Sequence, residues 1–154
     1  MTAARPGHGA AAAKAVSTAK GVLLDTGPLV ALYARDDHRH VAVARWMAGF
    51  SGVLHTVEPV LTEAAYFLPI RTRIVLAELA ANGALCVHRP DATGFLRIAA
   101  MLRKYADLDP DWADICLVWL AESTGIHRIA TLDIADFSVY RIHGRKRFEL
   151  ELLR

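Results

Sequence analysis

The patterned part of the chain begins at Gly21 with Val22-Leu23-Leu24-Asp25, a continuous apolar run without polar alternation that stops on a carboxylate. A short segment that is apolar on both faces is buried on both, which is the situation of a central strand in a parallel sheet. Thr26 can cap a following helix, Pro28 suits a first helical turn, and Leu29, Leu32 and Tyr33 supply one apolar face. Residues 38–50 form a second helical stretch. Residues 52–56 and 84–87 read as further strands, and 128–132 as a fourth that again stops on an acid, Asp133. Helices are expected over 58–68, 72–82, 92–105 and 111–124, with breaks at Pro69, Asn82-Gly83 and Gly125. Residues 139–142 are the candidate fifth strand. This alternation predicts an α/β fold: a central, mostly parallel sheet of four to five strands flanked by helices.

Composition narrows the class. The chain has 154 residues, 54% hydrophobic and 22% charged, enough for one domain with a substantial core and too apolar for a disordered chain. It contains no run of about 18 uncharged apolar residues that could span a membrane. Its two cysteines, Cys86 and Cys116, form neither a disulfide framework nor a zinc spacing, which fits a reducing, cytoplasmic setting. Residues 1–20 are rich in Ala, and Lys14 and Lys20 interrupt any signal-peptide core, so a flexible tail is expected there. The domain is expected over 21–145, followed by a basic C-terminal tail over 146–154.

The net charge of +2 conceals an uneven distribution: +3 over residues 1–20, +3 over 141–154, and −4 between them. An acidic body with basic ends is compatible with a metal-binding enzyme that handles a polyanion, and equally with ordinary solvated surface.

The acids themselves are more informative. In open α/β sheets, ligands bind beyond the carboxyl ends of the strands, where Asp25 and Asp133 both fall. Helix capping or turn formation is the plainer account of each. Glu63 lies in Val60-Leu61-Thr62-Glu63-Ala64-Ala65-Tyr66-Phe67-Leu68, and Asp114 in the still more apolar Trp112-Ala113-Asp114-Ile115-Cys116-Leu117. A carboxylate buried in such a segment requires a cation or hydrogen-bond partner; otherwise it occupies an exposed face, and Asp111 and Asp114 both lie near a helix start that favours anions. Four carboxylates without a Cys or His cluster suggest oxygen ligation of Mg²⁺ or Mn²⁺ in preference to zinc. A phosphatase with Asp25 as nucleophile is disfavoured by Gly27, where such enzymes carry a second Asp. No GxxxxGK[ST], GxGxxG or GxSxG loop occurs.

Over residues 21–142 the chain resembles the PIN domain family, and within it the VapC-type toxins of bacterial toxin-antitoxin pairs. The resemblance rests on Leu23-Leu24-Asp25-Thr26, the Glu63 helix, Ala113-Asp114-Ile115 entering a long apolar helix, and Ala130-Thr131-Leu132-Asp133-Ile134-Ala135-Asp136-Phe137, in that order. It implies an acidic pocket of Asp25, Glu63, Asp114 and Asp133 that binds metal and cleaves RNA, with Thr26 and Thr131 as supporting hydroxyls and Asp136 behind the ligands. It further implies an RNA substrate (tRNA, mRNA or rRNA), a cognate antitoxin and a homodimer. Arg35, Arg39, Arg71, Arg73, Arg145, Lys146 and Arg147 are candidate RNA contacts, each also compatible with a solvated surface role. Because some PIN domains are scaffolds, the alternative is a catalytically inactive RNA-binding module.

Overall fold

The computed structural model describes residues 21–153. The expected N-terminal tail, with the charges of Arg5, Lys14 and Lys20, lies outside the described residues. Five parallel strands, β1 (Gly21–Leu24), β2 (Val53–Val57), β3 (Leu85–His88), β4 (Arg128–Ala130) and β5 (Glu149–Leu150), form one sheet in the order β3-β2-β1-β4-β5. Among the described residues seven α-helices flank it: α1 (Thr26–Tyr33), α2 (His40–Gly49), α3 (Glu58–Phe67), α4 (Ile70–Ala81), α5 (Ala92–Lys104), α6 (Trp112–Thr124) and α7 (Ile134–Val139). Among the described residues no helix is long and apolar enough to cross a membrane.

The uniform apolarity of β1 has its cause in this order. As the middle strand it is covered on both faces, and all four of its residues are buried. α6 is similarly enclosed: Ile115, Leu117, Val118 and Leu120 are fully buried beside Ala113 and Ala121. Truncating one of these large side chains to Ala costs about 2–5 kcal/mol. α6 ends at Gly125, whose φ of 76° is the left-handed conformation of a C-terminal helix stop.

The C-terminal part differs from expectation. Residues 139–142 do not form the fifth strand; α7 occupies 134–139, and Tyr140 and Ile142 are buried in an extended return segment. The ring of Tyr140 packs edge-on against Tyr105 and Phe137, and Phe137 packs edge-on against Phe148. The reason is topological. A strand parallel to β4 must start at the amino edge of the sheet, whereas α7 lies just past its carboxyl edge, so the chain must travel back before it can pair. It turns through His143 and Gly144, at φ 50° and 71°, and pairs Glu149 and Leu150 with Arg128 and Ile129. Residues 149–150, expected within a tail, are therefore an edge strand. The following turn is tied back by Arg128, whose Nε donates to Glu151 at 2.7 Å.

Candidate active site

β1 and β4 are neighbours, but the connections leaving them run to opposite sides of the sheet. Such a switch point opens a crevice at the carboxyl ends of the two strands. The backbone N–H of Asp25 donates to the Ala130 carbonyl across this point, 3.1 Å. The Asp25 carboxylate caps α1 by accepting from the Thr26 N–H at 2.7 Å, and its other oxygen accepts from the Thr131 hydroxyl at 2.7 Å. Thr26 in turn donates its hydroxyl to Glu63 at 2.8 Å. Asp133 caps α7 through the Asp136 N–H at 3.1 Å, and Asp111 caps α6 through the Ala113 N–H at 3.3 Å. Capping and convergence are thus the same arrangement. Helix N-termini carry partial positive charge, and three of them hold acids around one crevice.

The crevice is a cavity of about 360 Å³ lined by Asp25, Thr26, Gly27, Arg39, Glu63, Asp111, Asp114, Leu132 and Asp133. Asp114, one turn into α6, is only 6% exposed, which excludes the exposed-face account, and it accepts a hydrogen bond from the Tyr140 hydroxyl at 3.3 Å. Its carboxyl is pushed up to about 8, first by burial and then by the neighbouring Asp25, Asp111, Asp133 and Asp136. Burial also raises Asp25 and Glu63, and it raises Asp136 together with the charge of Asp133. One carboxylate oxygen from each of Asp114, Asp133 and Asp136 lies within 4.8 Å of the others. Arg39 also lines the cavity, but it is engaged with Asp37 through two contacts of 3.2 Å. An all-oxygen, net anionic donor set of this kind fits a hard divalent cation such as Mg²⁺ or Mn²⁺.

Each candidate residue has a definite place. Asp25, Thr26, Glu63, Asp114 and Asp133 line the cavity, and Thr131 braces Asp25 from beneath. Asp136, expected behind the ligands, stands with Asp114 and Asp133 in the three-carboxylate group, whereas Asp25 and Glu63 lie outside that group. Asp111 and Tyr140 were not among the expected site residues. Asp111 carried a signal, standing one turn before Asp114 at a helix start; Tyr140 carried none.

The basic candidates separate. Arg35 and Arg71 line a separate cavity of about 990 Å³ between the end of α1 and the α3–α4 corner, which shares no lining residue with the acidic one. Arg73 closes α3, its Nε donating to the carbonyls of Ala65 and Leu68 at 2.8 Å each. Arg145, Lys146 and Arg147 are exposed on the return turn at the amino edge of the sheet. That turn is held by Glu122, which accepts from the His143 N–H at 2.7 Å. Glu122 lies two turns beyond Asp114, about 12 Å along the α6 axis. The C-terminal basic segment is therefore not brought to the acidic cavity, because parallel pairing of β5 sends it to the other edge.

A family model described as the PIN domain matches residues 22–142. Among solved structures, VapC20 of Mycobacterium tuberculosis, a sarcin-ricin loop cleaving toxin, is similar with a TM-score of 0.68 and 20% sequence identity. The alignment covers 74% of this chain and 91% of the toxin; at that identity the likeness is one of fold. A search of curated proteins finds no match. With a family match running from the first strand through α7 and the return segment, over the cavity that joins them, the chain belongs to the PIN domain family.

Proposed function

We propose that the protein is a metal-dependent endoribonuclease of VapC type, the toxin of a toxin-antitoxin pair. The observation that carries this reading is the convergence of Asp114, Asp133 and Asp136 at ligand distance, with Asp114 and Asp133 lining a cavity shared with Asp25 and Glu63. Asp114, Asp133 and Asp136 would hold Mg²⁺ or Mn²⁺, with Asp25 and Glu63 completing the acidic wall. When bound, the cation supplies charge neutralisation at the scissile phosphate and an acidified water. Thr131 and the Thr26 N–H orient the Asp25 carboxylate, and the Thr26 hydroxyl aims Glu63, so both acids are pre-positioned before substrate enters. Arg39 is the cation on the cavity wall available to a phosphate once it leaves Asp37.

The substrate in this reading is single-stranded or loop RNA. rRNA is the first member of the tRNA, mRNA and rRNA panel to test, since the similar toxin is named for cleaving the sarcin-ricin loop. The partner reading rests on an apolar face: Tyr66, Phe67, Ile70 and Ile74 at the α3–α4 corner are 81%, 67%, 68% and 52% exposed. Such a face suits an antitoxin segment or a second copy of the chain. Cleavage of the RNA panel with Mg²⁺ or Mn²⁺ should be lost in Asp25→Asn and Asp114→Asn, and equal cleavage by these variants would overturn the assignment. Binding without metal-dependent cutting would instead favour an RNA-binding scaffold.

A further inference from the structure

Beside the acidic cavity lies a second one, of about 500 Å³, and Glu63 lines both. Its remaining walls include Thr62 from α3, His88 and Arg89 at the end of β3, Phe95 from α5 and Trp112 from the first position of α6. Phe95 and Trp112 are 43% and 49% exposed. The other two tryptophans are differently employed: Trp46 stacks on Phe50 with centroids 5.1 Å apart, and Trp119 is half-buried, with its indole against α5 at Gly94. His88 is held in place by a 2.9 Å hydrogen bond to the buried His55 ring. Aromatic faces that remain open beside a phosphate-handling site are stacking surfaces for bases, because every base offers a π-face.

We infer that this second cavity binds one unpaired nucleobase of the RNA, with Trp112 as the stacking surface, Phe95 as the opposing wall, and Arg89 facing the backbone phosphate. The inference rests on the ribonuclease reading. Its geometric basis is the shared wall: a strand whose phosphate lies among the acids reaches this cavity across Glu63 without leaving the surface. Trp112 is adjacent in sequence to Asp111 and two residues from Asp114, so the base platform and the acidic site are built on one helix start. Arg89 is the arginine on the wall of this cavity, which also carries the carboxylates of Glu58 and Glu63.

The test uses the full chain and a ten-nucleotide single-stranded RNA of mixed sequence, with binding followed by intrinsic fluorescence in Ca²⁺ and cleavage measured separately in Mg²⁺. Trp112→Ala should weaken binding about ten-fold or more, while Trp112→Phe should retain affinity but lose most of the fluorescence quenching. Removing the base at one position of the RNA should reproduce the loss seen with Trp112→Ala and add nothing to it. The subsite is overturned if Trp112→Ala binds as wild type, if the losses add, or if the RNA quenches no tryptophan. Cleavage with unchanged binding by Trp112→Ala refutes the subsite alone; absence of metal-dependent cleavage by the wild-type chain refutes the nuclease reading, whatever the fluorescence shows.

Discussion

Thr26 donates its hydroxyl to Glu63 at 2.8 Å, joining the start of α1 to the middle of α3 across 37 residues of sequence. The same residue donates its backbone N–H to Asp25, so one threonine sets the spacing between two acids of the cavity. Thr26→Val keeps the shape and removes the hydroxyl. It should lower metal-dependent RNA cleavage about ten- to a hundred-fold, the usual effect of losing a group that orients a site, with Thr26→Ser recovering most of it. Initial rates on the RNA panel, with melting curves to show an intact fold, check this.

Asp114 gives a pH dependence with a definite sign. Its carboxyl is raised from the ordinary 3.8 to about 8, so without metal the folded protein holds a proton that the unfolded chain has released. The associated stability is fully present below pH 4 and is lost as pH rises toward 8. Asp25 and Glu63 are raised too and act in the same direction. In EDTA the melting temperature should therefore fall between pH 5 and pH 8.5, and Asp114→Asn should flatten that slope. Mg²⁺ should raise the melting temperature more at pH 8.5 than at pH 5, because protons compete for the same oxygens. An equal shift at both pH values would contradict the ligand role.

The position of Asp136 makes a separate prediction. As one of three carboxylates within 4.8 Å, it should matter for cation binding itself and not only for the shape of the site. Asp136→Asn should weaken Mn²⁺ affinity about ten-fold or more, measured by calorimetry, with the α7 cap from Asp133 left in place. Unchanged affinity would return Asp136 to a position behind the ligands.

The pair formed by Arg128 and Glu151 predicts stability without activity. Glu151 is buried, and Arg128 Nε meets it at 2.7 Å, tying the turn after β5 to the start of β4. Arg128→Ala leaves that carboxylate without its partner and should cost about 2 kcal/mol in urea denaturation. RNA cleavage per folded molecule should be unchanged, because the pair lies at the edge of the sheet opposite the acids.

Much of the architecture was legible because it is local. The unbroken apolarity of Val22-Leu23-Leu24 identified a strand covered on both faces, and helical periodicity with its stop residues placed α2 through α6 to within a few positions. The carboxylates at the ends of β1 and β4 could be read as facing a crevice from that pattern alone. The fifth strand was not legible. The pattern at 139–142 encodes burial, and whether a buried extended segment pairs or packs depends on which edge of the sheet the chain has reached.

The sequence by itself determined which segments are buried, where α2 through α6 begin and end, and which acids lie where a charge is costly. These follow from side-chain chemistry over a few residues. Tertiary structure alone decided that Asp136 joins Asp114 and Asp133, that Asp111 shares the cavity, that Tyr140 reaches Asp114, and that the C-terminal basic turn lies at the opposite edge. Those relations depend on strand order and parallel register, which bring together groups far apart in the chain and leave no trace in local periodicity.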